Sequence, residues 1–192
     1  MSDSEDRDAV DRGHQARMCL ESFEKFFKFY WPLLVRYLKS QASNSAWAED
    51  VAEETMIAVL DRWSALLVME RPDSYLFTIA TRKLRRLEAQ ARENCCLGED
   101  LASAGADLRL AAAADKWVED HHDLIAGMRS LPRRQCEVIG LHYFGGYTLA
   151  ETAQILDVQE GTVKKHLNRG LENLRRRQGI ATAPKLIRRI PV

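Results

Sequence analysis

The sequence predicts an all-α protein in which two small helical domains are joined by an acidic linker. Apolar residues recur at intervals of three and four along most of the 192 residues, which is the spacing of amphipathic helices. The β-branched runs expected of a sheet protein are absent. Between residues 93 and 122 the composition becomes alanine-rich and acidic, and this change separates the two helical parts.

The formal net charge of zero is an average over segments of opposite sign. Counting Lys and Arg against Asp and Glu gives 3 to 6 over residues 1–22, 11 to 9 over 23–92, 2 to 8 over 93–123 and 12 to 5 over 124–192. The last segment therefore has a net charge of +7. A basic segment suits phosphate contacts, since each neutralised phosphate releases counterions.

Residues 1–21 are polar and mostly acidic, and we predict a flexible or weakly helical arm. A first domain is predicted over residues 22–92. It begins with an amphipathic helix, Ser22–Ser40, whose aromatic stripe is typical of core packing. Pro32 should kink this helix or start a new segment.

The second predicted helix, Ala46–Trp63, has four acidic side chains in its first half: Glu49, Asp50, Glu53 and Glu54. Acidic residues at this end favour the positive end of the helix dipole, so solvation and dipole complementarity explain them without a partner. An acidic docking face for a basic protein is the alternative, and both interpretations stay open.

The third predicted helix starts with a cap at Asp73 or Ser74 and ends near Arg92. Its exposed side carries Arg82, Arg85 and Arg86, and three aromatic residues, Trp63, Tyr75 and Phe77, lie near it in the chain. Cations interleaved with aromatics suit single-stranded nucleic acid, whose bases stack on rings while its phosphates meet Lys and Arg. The alternative is that these rings pack in the core and have no role in binding.

The predicted linker, residues 93–122, contains one helix near Leu108–Val118. Its Cys95-Cys96 and His121-His122 pairs do not have the spacing of a metal site, and we predict neither a metal nor a cofactor. No nucleophile–base pair, phosphate loop or pair of catalytic acids is present, so we do not expect an enzyme. Without a signal peptide or a membrane span, a cytoplasmic location is expected and no membrane partner is.

The second domain is predicted over residues 123–178, followed by a loose tail, 179–192. A short helix, Asp123–Ser130, and a helix that opens at Pro132 precede a helix-turn-helix at Thr148–Arg177. Thr148 and Glu151 have the spacing of a capping box, and Asp157 tolerates the left-handed turn.

The second helix of this motif begins near Glu160 and has one apolar face, formed by Val163, Leu167, Leu171 and Leu174. Its other faces carry Lys164, Lys165, His166 and Arg169. A cationic helix in this position can enter a DNA major groove. A solvated basic hairpin is the alternative.

In this order the elements resemble the bacterial RNA polymerase sigma factors of the extracytoplasmic-function (ECF) subfamily, which keep only regions 2 and 4. Three motifs carry the resemblance: AEDVAEET at 48–55, which leads to Trp63, RPDSYLFTIA at 71–80, and LPRRQCEVI at 131–139 with GTVK at 161–164 and Arg169. The first looks like region 2.2, the second like the start of region 2.4 and the third like region 4.

The resemblance implies a factor that binds core RNA polymerase at its largest-subunit clamp and its flap, directs it to promoters and promotes DNA melting. It implies that Glu49, Asp50, Glu53 and Glu54 bind the clamp. It implies contacts of Trp63, Tyr75, Arg82, Arg85 and Arg86 with the −10 element, and of Arg133, Arg134, Lys164, Lys165, His166, Arg169 and Arg175 with the −35 element. An anti-sigma partner is a further family expectation, for which the sequence has no residue signal.

Several positions depart from the family pattern. Tyr75 replaces a usual Trp, and Arg82 and Arg86 replace a usual Asn and Asp, which makes this helix more basic. In the helix-turn-helix, Thr152 stands for Ile and Gly170 for Ala, the latter at an expected cost of about 1 kcal/mol. Two other functions stay open: a helix-turn-helix regulator that binds duplex DNA without polymerase, and a small helical adaptor that binds only proteins.

Overall fold

The helices of the chain are seen in a computed structural model that describes residues 2–95 and 121–178, with side chains over 17–93 and 121–176. The described residues form eight helices and no strand. In chain order they are α1 (Ser2–Gln41), α2 (Ser45–Leu60), α3 (Trp63–Leu66), α4 (Pro72–Cys95), α5 (His122–Arg129), α6 (Arg133–Tyr143), α7 (Leu149–Leu156) and α8 (Glu160–Gln178). The predicted helix at 108–118 and the tail at 179–192 lie outside the described residues.

Helix α1 begins at Ser2 and continues through Pro32 without a break. The segment predicted as a flexible or weakly helical arm is thus helical, and no new segment starts at Pro32, whereas a kink there stays a prediction. Around the proline, Trp31 and Leu34 are fully buried, and this packing outweighs the roughly 3 kcal/mol that an interior proline costs a helix.

The first three helical segments after α1 pack on its aromatic stripe, as predicted. Phe23 and Phe26 contact the Trp63 ring at centroid distances of 5.4 and 4.7 Å. Helix α2 is capped by Asn44, whose side chain accepts from the Ala46 amide at 3.0 Å. Its buried face includes Ala48, Val51, Ala52, Thr55 and Val59, whereas Arg62, just beyond its end, is exposed. Helix α2 also ends earlier than predicted, at Leu60, and the chain turns into the short α3.

Helix α4 begins at Pro72, so the cap predicted at Asp73 or Ser74 is wrong, because both residues lie in its first turn. A proline suits this first position, since its missing amide has no helical partner there. The Asp73 carboxylate instead accepts from Arg71, with Nη2 to Oδ2 at 2.8 Å. The ion pair between Arg71 and Asp73 therefore stabilises the N-terminus of α4.

The helix-turn-helix has the local structure that its sequence predicts. The Glu151 amide donates to the Thr148 hydroxyl at 3.2 Å, and the Glu151 carboxylate accepts from the Thr148 amide at 2.8 Å, which completes the capping box. Asp157 ends α7 in the left-handed region, at φ 54° and ψ 56°. Thr152 is buried, and its hydroxyl donates to the Thr148 carbonyl at 2.8 Å, so this departure from the family pattern leaves no unpaired polar group.

Gly170 is explained by packing. A Cβ at this position would lie 2.7 Å from Ile139 Cδ1 and 3.2 Å from Gln135 Cβ. Both atoms belong to α6, and Ile139 is fully buried. The glycine therefore lets α8 approach α6 closely, which offsets its low helix propensity.

The two predicted domains are packed against each other. Helices α1 and α4 contact α5, α6 and α7 along an interface that we call the seam, and the buried apolar residues of both domains form one core. Aromatic residues join the two sides: Phe77 of α4 lies between Tyr37 of α1 and Tyr147, each at a centroid distance of 5.4 Å. Phe77 is thus a core residue. None of the described helices combines the length and the apolar composition of a membrane span.

Candidate nucleic-acid interface

Helix α8 presents a cationic face to solvent because its apolar face is anchored in the core. Val163, Leu167 and Leu174 are buried against the rest of the domain. Lys164, Lys165 and Arg169 lie on the opposite side and are exposed. The capping box and the left-handed Asp157 fix the angle at which α8 leaves the turn. This is the arrangement in which a recognition helix offers side chains near its N-terminus to a major groove.

His166 is less available than the sequence implied. Its ring is half-buried, and Nδ1 is buried without a hydrogen-bond partner among the described residues. Only the outer part of the ring is thus open to a base edge. Arg134 and Arg175 are exposed on α6 and α8, which suits the predicted phosphate contacts.

Arg133 and Arg85 are both engaged in the seam. The Arg85 guanidinium donates twice to the Glu137 carboxylate, at 2.7 and 2.6 Å. Arg133 donates to the same carboxylate at 2.9 Å and also pairs with Glu88. The side chains of the two glutamates are only 2% and 8% exposed, so the arginines are held by carboxylates shielded from water. The hydrogen bonds to Glu137 raise the pKa of Arg85, which stays charged at every accessible pH.

The remaining cations of α4 are open to solvent. Arg82 and Arg86 are exposed, one turn apart on α4. Lys83 pairs with Glu54 of α2 at 2.7 Å. The cationic strip predicted for α4 is therefore divided: Arg82 and Arg86 are available to a phosphate, whereas Arg85 is held in the seam.

The aromatic residues predicted to hold a base have different surroundings. Trp63 is 4% exposed, stacks on α1 and donates from Nε1 to the Ser22 hydroxyl at 2.8 Å. It is a core residue in this structure, and its contact with the −10 element stays a prediction. Tyr75 is half-buried, and its hydroxyl accepts from Arg62 at 3.3 Å. Beside it, the α3–α4 connection exposes Val68 at 88% and Met69 at 46%, two apolar side chains that the sequence reasoning did not single out.

The acidic face of α2 is partly paired within the domain. Glu49 accepts from the buried Lys39 at 2.6 Å, and Glu54 pairs with Lys83. Glu53 lies at the edge of an apolar groove between α1 and α2. The other residues that line this groove are Phe23, Phe27, Trp31, Met56, Ile57 and Leu60. Glu53 thus borders an apolar surface on the exposed side of α2.

The groove was not predicted, although a sequence signal for it exists. Ile57 and Leu60 are 59% and 43% exposed. They lie three residues apart on α2, outside the face that Val51, Thr55 and Val59 bury. Helix α2 has more apolar positions than one buried face requires, and such an excess indicates a second contact surface.

Known families account for both halves of the chain. The Sigma-70 region 2 model matches residues 26–93, and the Sigma-70, region 4 model matches residues 127–176; together they cover more than half of the chain. The chain belongs to the RNA polymerase sigma factors. It is of the extracytoplasmic-function type, and the resemblance inferred from its motifs is confirmed.

The chain is similar to known sigma factors over most of its length. The RNA polymerase sigma-E factor of Streptomyces avermitilis is 24% identical over 156 residues, which cover 80% of this chain and 83% of that protein. The sigma factor RpoE of Bartonella quintana, solved in complex with the anti-sigma factor NepR, superposes with a TM-score of 0.66 at 19% identity, over 84% of this chain and 99% of that one. CnrH, solved with the cytosolic domain of CnrY, gives 0.54 at 20% identity, over 81% and 86%.

As a sigma factor, the chain binds core RNA polymerase and promoter DNA, and it gives the polymerase its promoter specificity. The predicted all-α fold with regions 2 and 4 is confirmed. A helix-turn-helix regulator that acts without polymerase is not favoured. Sigma factors are initiation factors rather than enzymes. Among the described residues, no group of His, Cys, Asp and Glu has the arrangement of a metal site.

Proposed function

We propose that this sigma factor contacts its promoters at two separate places and docks on polymerase through α2. The observation that carries the proposal is the orientation of α8, which buries Val163 and Leu167 and turns Lys164, Lys165 and Arg169 to solvent. These three side chains, with the outer edge of His166, would read the −35 element in the major groove. Arg134 and Arg175 would hold the flanking phosphates, joined by Arg133 once it leaves the seam.

At the −10 element, α4 and the α3–α4 connection would hold the melted strand. Arg82 and Arg86 are placed to meet phosphates, with Arg85 once it is released. Tyr75, Val68 and Met69 form an exposed aromatic and apolar surface next to these cations, which suits an unstacked base. Melting costs a few kcal/mol for each flipped base, and a base held on this surface offsets part of it.

The docking face on polymerase would combine apolar and acidic contacts. Phe27, Ile57 and Leu60 offer an open apolar groove, and Asp50 and Glu53, with Glu49 and Glu54, place negative charge along its side. A helix of the largest-subunit clamp with an apolar face and basic flanks would fit it. The acids would set orientation and association rate, and burial of the groove would supply most of the affinity.

We also propose an anti-sigma partner and a cytoplasmic site of action. RpoE was solved with NepR, and CnrH was solved with the cytosolic domain of CnrY. Both sigma factors share the fold of this chain. An anti-sigma protein that covers the same α2 groove would exclude polymerase directly. The cytoplasm is where a bacterial polymerase meets its promoters.

The proposal is tested by reconstitution with bacterial core polymerase on a promoter library, with permanganate footprinting of melted thymines. The account predicts open complexes on a subset of promoters that share a −35 sequence. Changing Lys165 and His166 together should shift that −35 preference and leave core binding intact. An unchanged promoter profile would show that Lys165 and His166 do not contact the bases of the −35 element.

Docking is tested separately by Glu53→Lys, which should weaken core binding at least tenfold while the helical circular dichroism spectrum is retained. Glu93→Lys is the matched control, because it makes the same charge reversal at an exposed position near the end of α4. Equal core affinities of the two variants would show that Glu53 does not contact polymerase.

A further inference from the structure

Gly161 lies in the first turn of α8, and the packing of the described residues does not require a glycine there. Beyond its own helix backbone and chain neighbours, a Cβ at Gly161 would meet no described atom within 4 Å, whereas one at Gly170 would lie 2.7 Å from Ile139 Cδ1. Its φ is outside the left-handed region, unlike that of Gly146 at 72°. Because glycine is also a poor helix former, the missing side chain weakens α8 without serving a contact in the described part of the chain.

The position of Gly161 around α8 is the outermost one. Successive residues of an α-helix are rotated by about 100°, so the buried Val163 and Leu167 lie on the side of the helix opposite Gly161. Lys165 and Asn168, four and seven residues further on, share the outer side with Gly161, and all three residues are exposed. We call this row of three residues the outer line of α8. The line therefore begins with a residue that has no side chain and continues with two polar ones.

The outer line is the part of α8 that would lie deepest in a DNA groove. A helix with its side chains is about 10–12 Å across, and the major groove is about 12 Å wide and about 8.5 Å deep. The helix thus fits with little clearance, and a recognition helix offers its N-terminal residues to the base edges. A side chain at Gly161 would meet the floor of the groove and hold the backbone of α8 away from the bases that Lys165 and Asn168 face.

We propose that Gly161 is a positioning residue for −35 recognition, because its missing side chain lets the first turn of α8 lie directly against the base edges. This inference rests on the proposed entry of α8 into the major groove. Gly161 sets the depth of the helix in the groove and hence the reach of the polar side chains behind it. Non-specific binding depends on phosphate contacts rather than base contacts, so the effect of Gly161 is confined to the promoter sequence that α8 reads.

The test uses two substitutions that add side chains of increasing size to the full chain, Gly161→Ala and Gly161→Leu. The matched control is Ala126→Leu, which enlarges an exposed side chain on α5, a helix outside the proposed DNA contacts. The melting temperature of both Gly161 variants should equal that of the parent or exceed it by up to about 3 °C, because each replaces a poor helix former with a good one. If Gly161→Leu does not fold, Gly161→Ala carries the test.

The measurement is made on the holoenzyme reconstituted with bacterial core polymerase. Its affinity is compared for a promoter recovered from the library and for the same promoter with a scrambled −35 element. Gly161→Ala should lower the ratio of the two affinities about threefold, and Gly161→Leu at least about tenfold, which is the loss that one mismatched base pair causes. Affinity for the scrambled promoter should stay within about twofold of the parent, and Ala126→Leu should change neither affinity.

The variant Lys165→Ala, measured in parallel, separates this inference from the proposed function. If Lys165→Ala weakens binding to the −35 element while both Gly161 variants bind like the parent, the inference fails and the entry of α8 into the groove stands. If neither substitution affects binding to the −35 element, α8 does not enter the groove and both are wrong. A loss in the Gly161 variants that is equal on the two promoters also overturns the inference, since a change in the depth of α8 acts only on base contacts.

Discussion

Helices α4 and α8 have similar cationic sequences and different surroundings. In α8 the cations lie opposite a buried apolar face and point to solvent, with Lys164, Lys165 and Arg169 exposed. In α4 the central arginine, Arg85, is held by a buried carboxylate from the other domain. A basic helix is therefore a candidate DNA surface only where no acidic side chain from another part of the fold pairs with its cations.

The largest effect should come from breaking the buried pair on α4. Arg85→Ala leaves the Glu137 carboxylate buried with fewer donors, and we expect the free energy of unfolding to fall by about 2–3 kcal/mol. Arg82→Ala, on the exposed side of the same helix, should change it by less than about 0.5 kcal/mol. Urea unfolding followed by circular dichroism measures both. An equal loss of unfolding free energy in the two variants would mean that the pair between Arg85 and Glu137 does not stabilise the fold.

The same comparison on α8 should give an effect on binding without an effect on folding. Lys165→Ala removes an exposed cation, so we expect weaker promoter binding and a salt slope smaller by about one. The melting temperature should stay within about 1 °C of the parent because nothing in the core is touched. Fluorescence anisotropy at several salt concentrations checks the slope. An unchanged slope would place Lys165 away from the phosphates.

Protonation of the Glu151 carboxylate in acid should weaken its contacts with Thr148 and Arg71, whereas the exposed Lys and Arg side chains stay charged. The hydrogen bond from the Thr148 backbone, with help from Arg71, holds the pKa of Glu151 below its ordinary 4.5. The unfolded chain therefore binds this proton first, so the stabilisation is full above about pH 4.5 and is lost as pH falls through the lower folded value. Thermal melts between pH 3 and 6 should show a smaller acid loss in Glu151→Gln. A variant whose acid loss matches the parent would contradict this pairing.

The smallest effect is expected at Gly170. An alanine gains about 1 kcal/mol of helix propensity, but its Cβ meets the buried Ile139, and overpacking of this kind costs about 1–3 kcal/mol. We therefore expect Gly170→Ala to be neutral or mildly destabilising in urea unfolding. An increase of about 1 kcal/mol in the free energy of unfolding would show that Ile139 of α6 moves aside without an energetic cost.

The sequence was sufficient for the elements whose causes are local. The Thr148 capping box, the left-handed Asp157 and the apolar face of α8 depend on residues within a turn or two of each other, and the structure confirms them. The resemblance of three motifs to a known family is likewise confirmed. The exposed cations of α8 followed from the same periodicity.

What the sequence could not predict depends on contacts between distant residues. Glu137 reaches Arg85 across 52 positions, and no periodicity links them. Trp63 was expected at the DNA surface, yet packing on Phe23 and Phe26 places it in the core. The continuity of α1 through Pro32 has the same origin, because tertiary packing outweighs a local preference.

The measurement that tests the account most directly is the alkylation rate of Cys136 in the unmodified chain before and after core polymerase is added. Cys136 is buried against α1, and burial raises the pKa of its thiol to about 12, so the thiol should react slowly in the packed chain. Polymerase binding should accelerate its alkylation strongly relative to Cys19, because a chain that holds the −10 and −35 elements at the same time must part its two domains. A Cys136 that stays protected in the polymerase complex, while open promoter complexes form, would contradict the account.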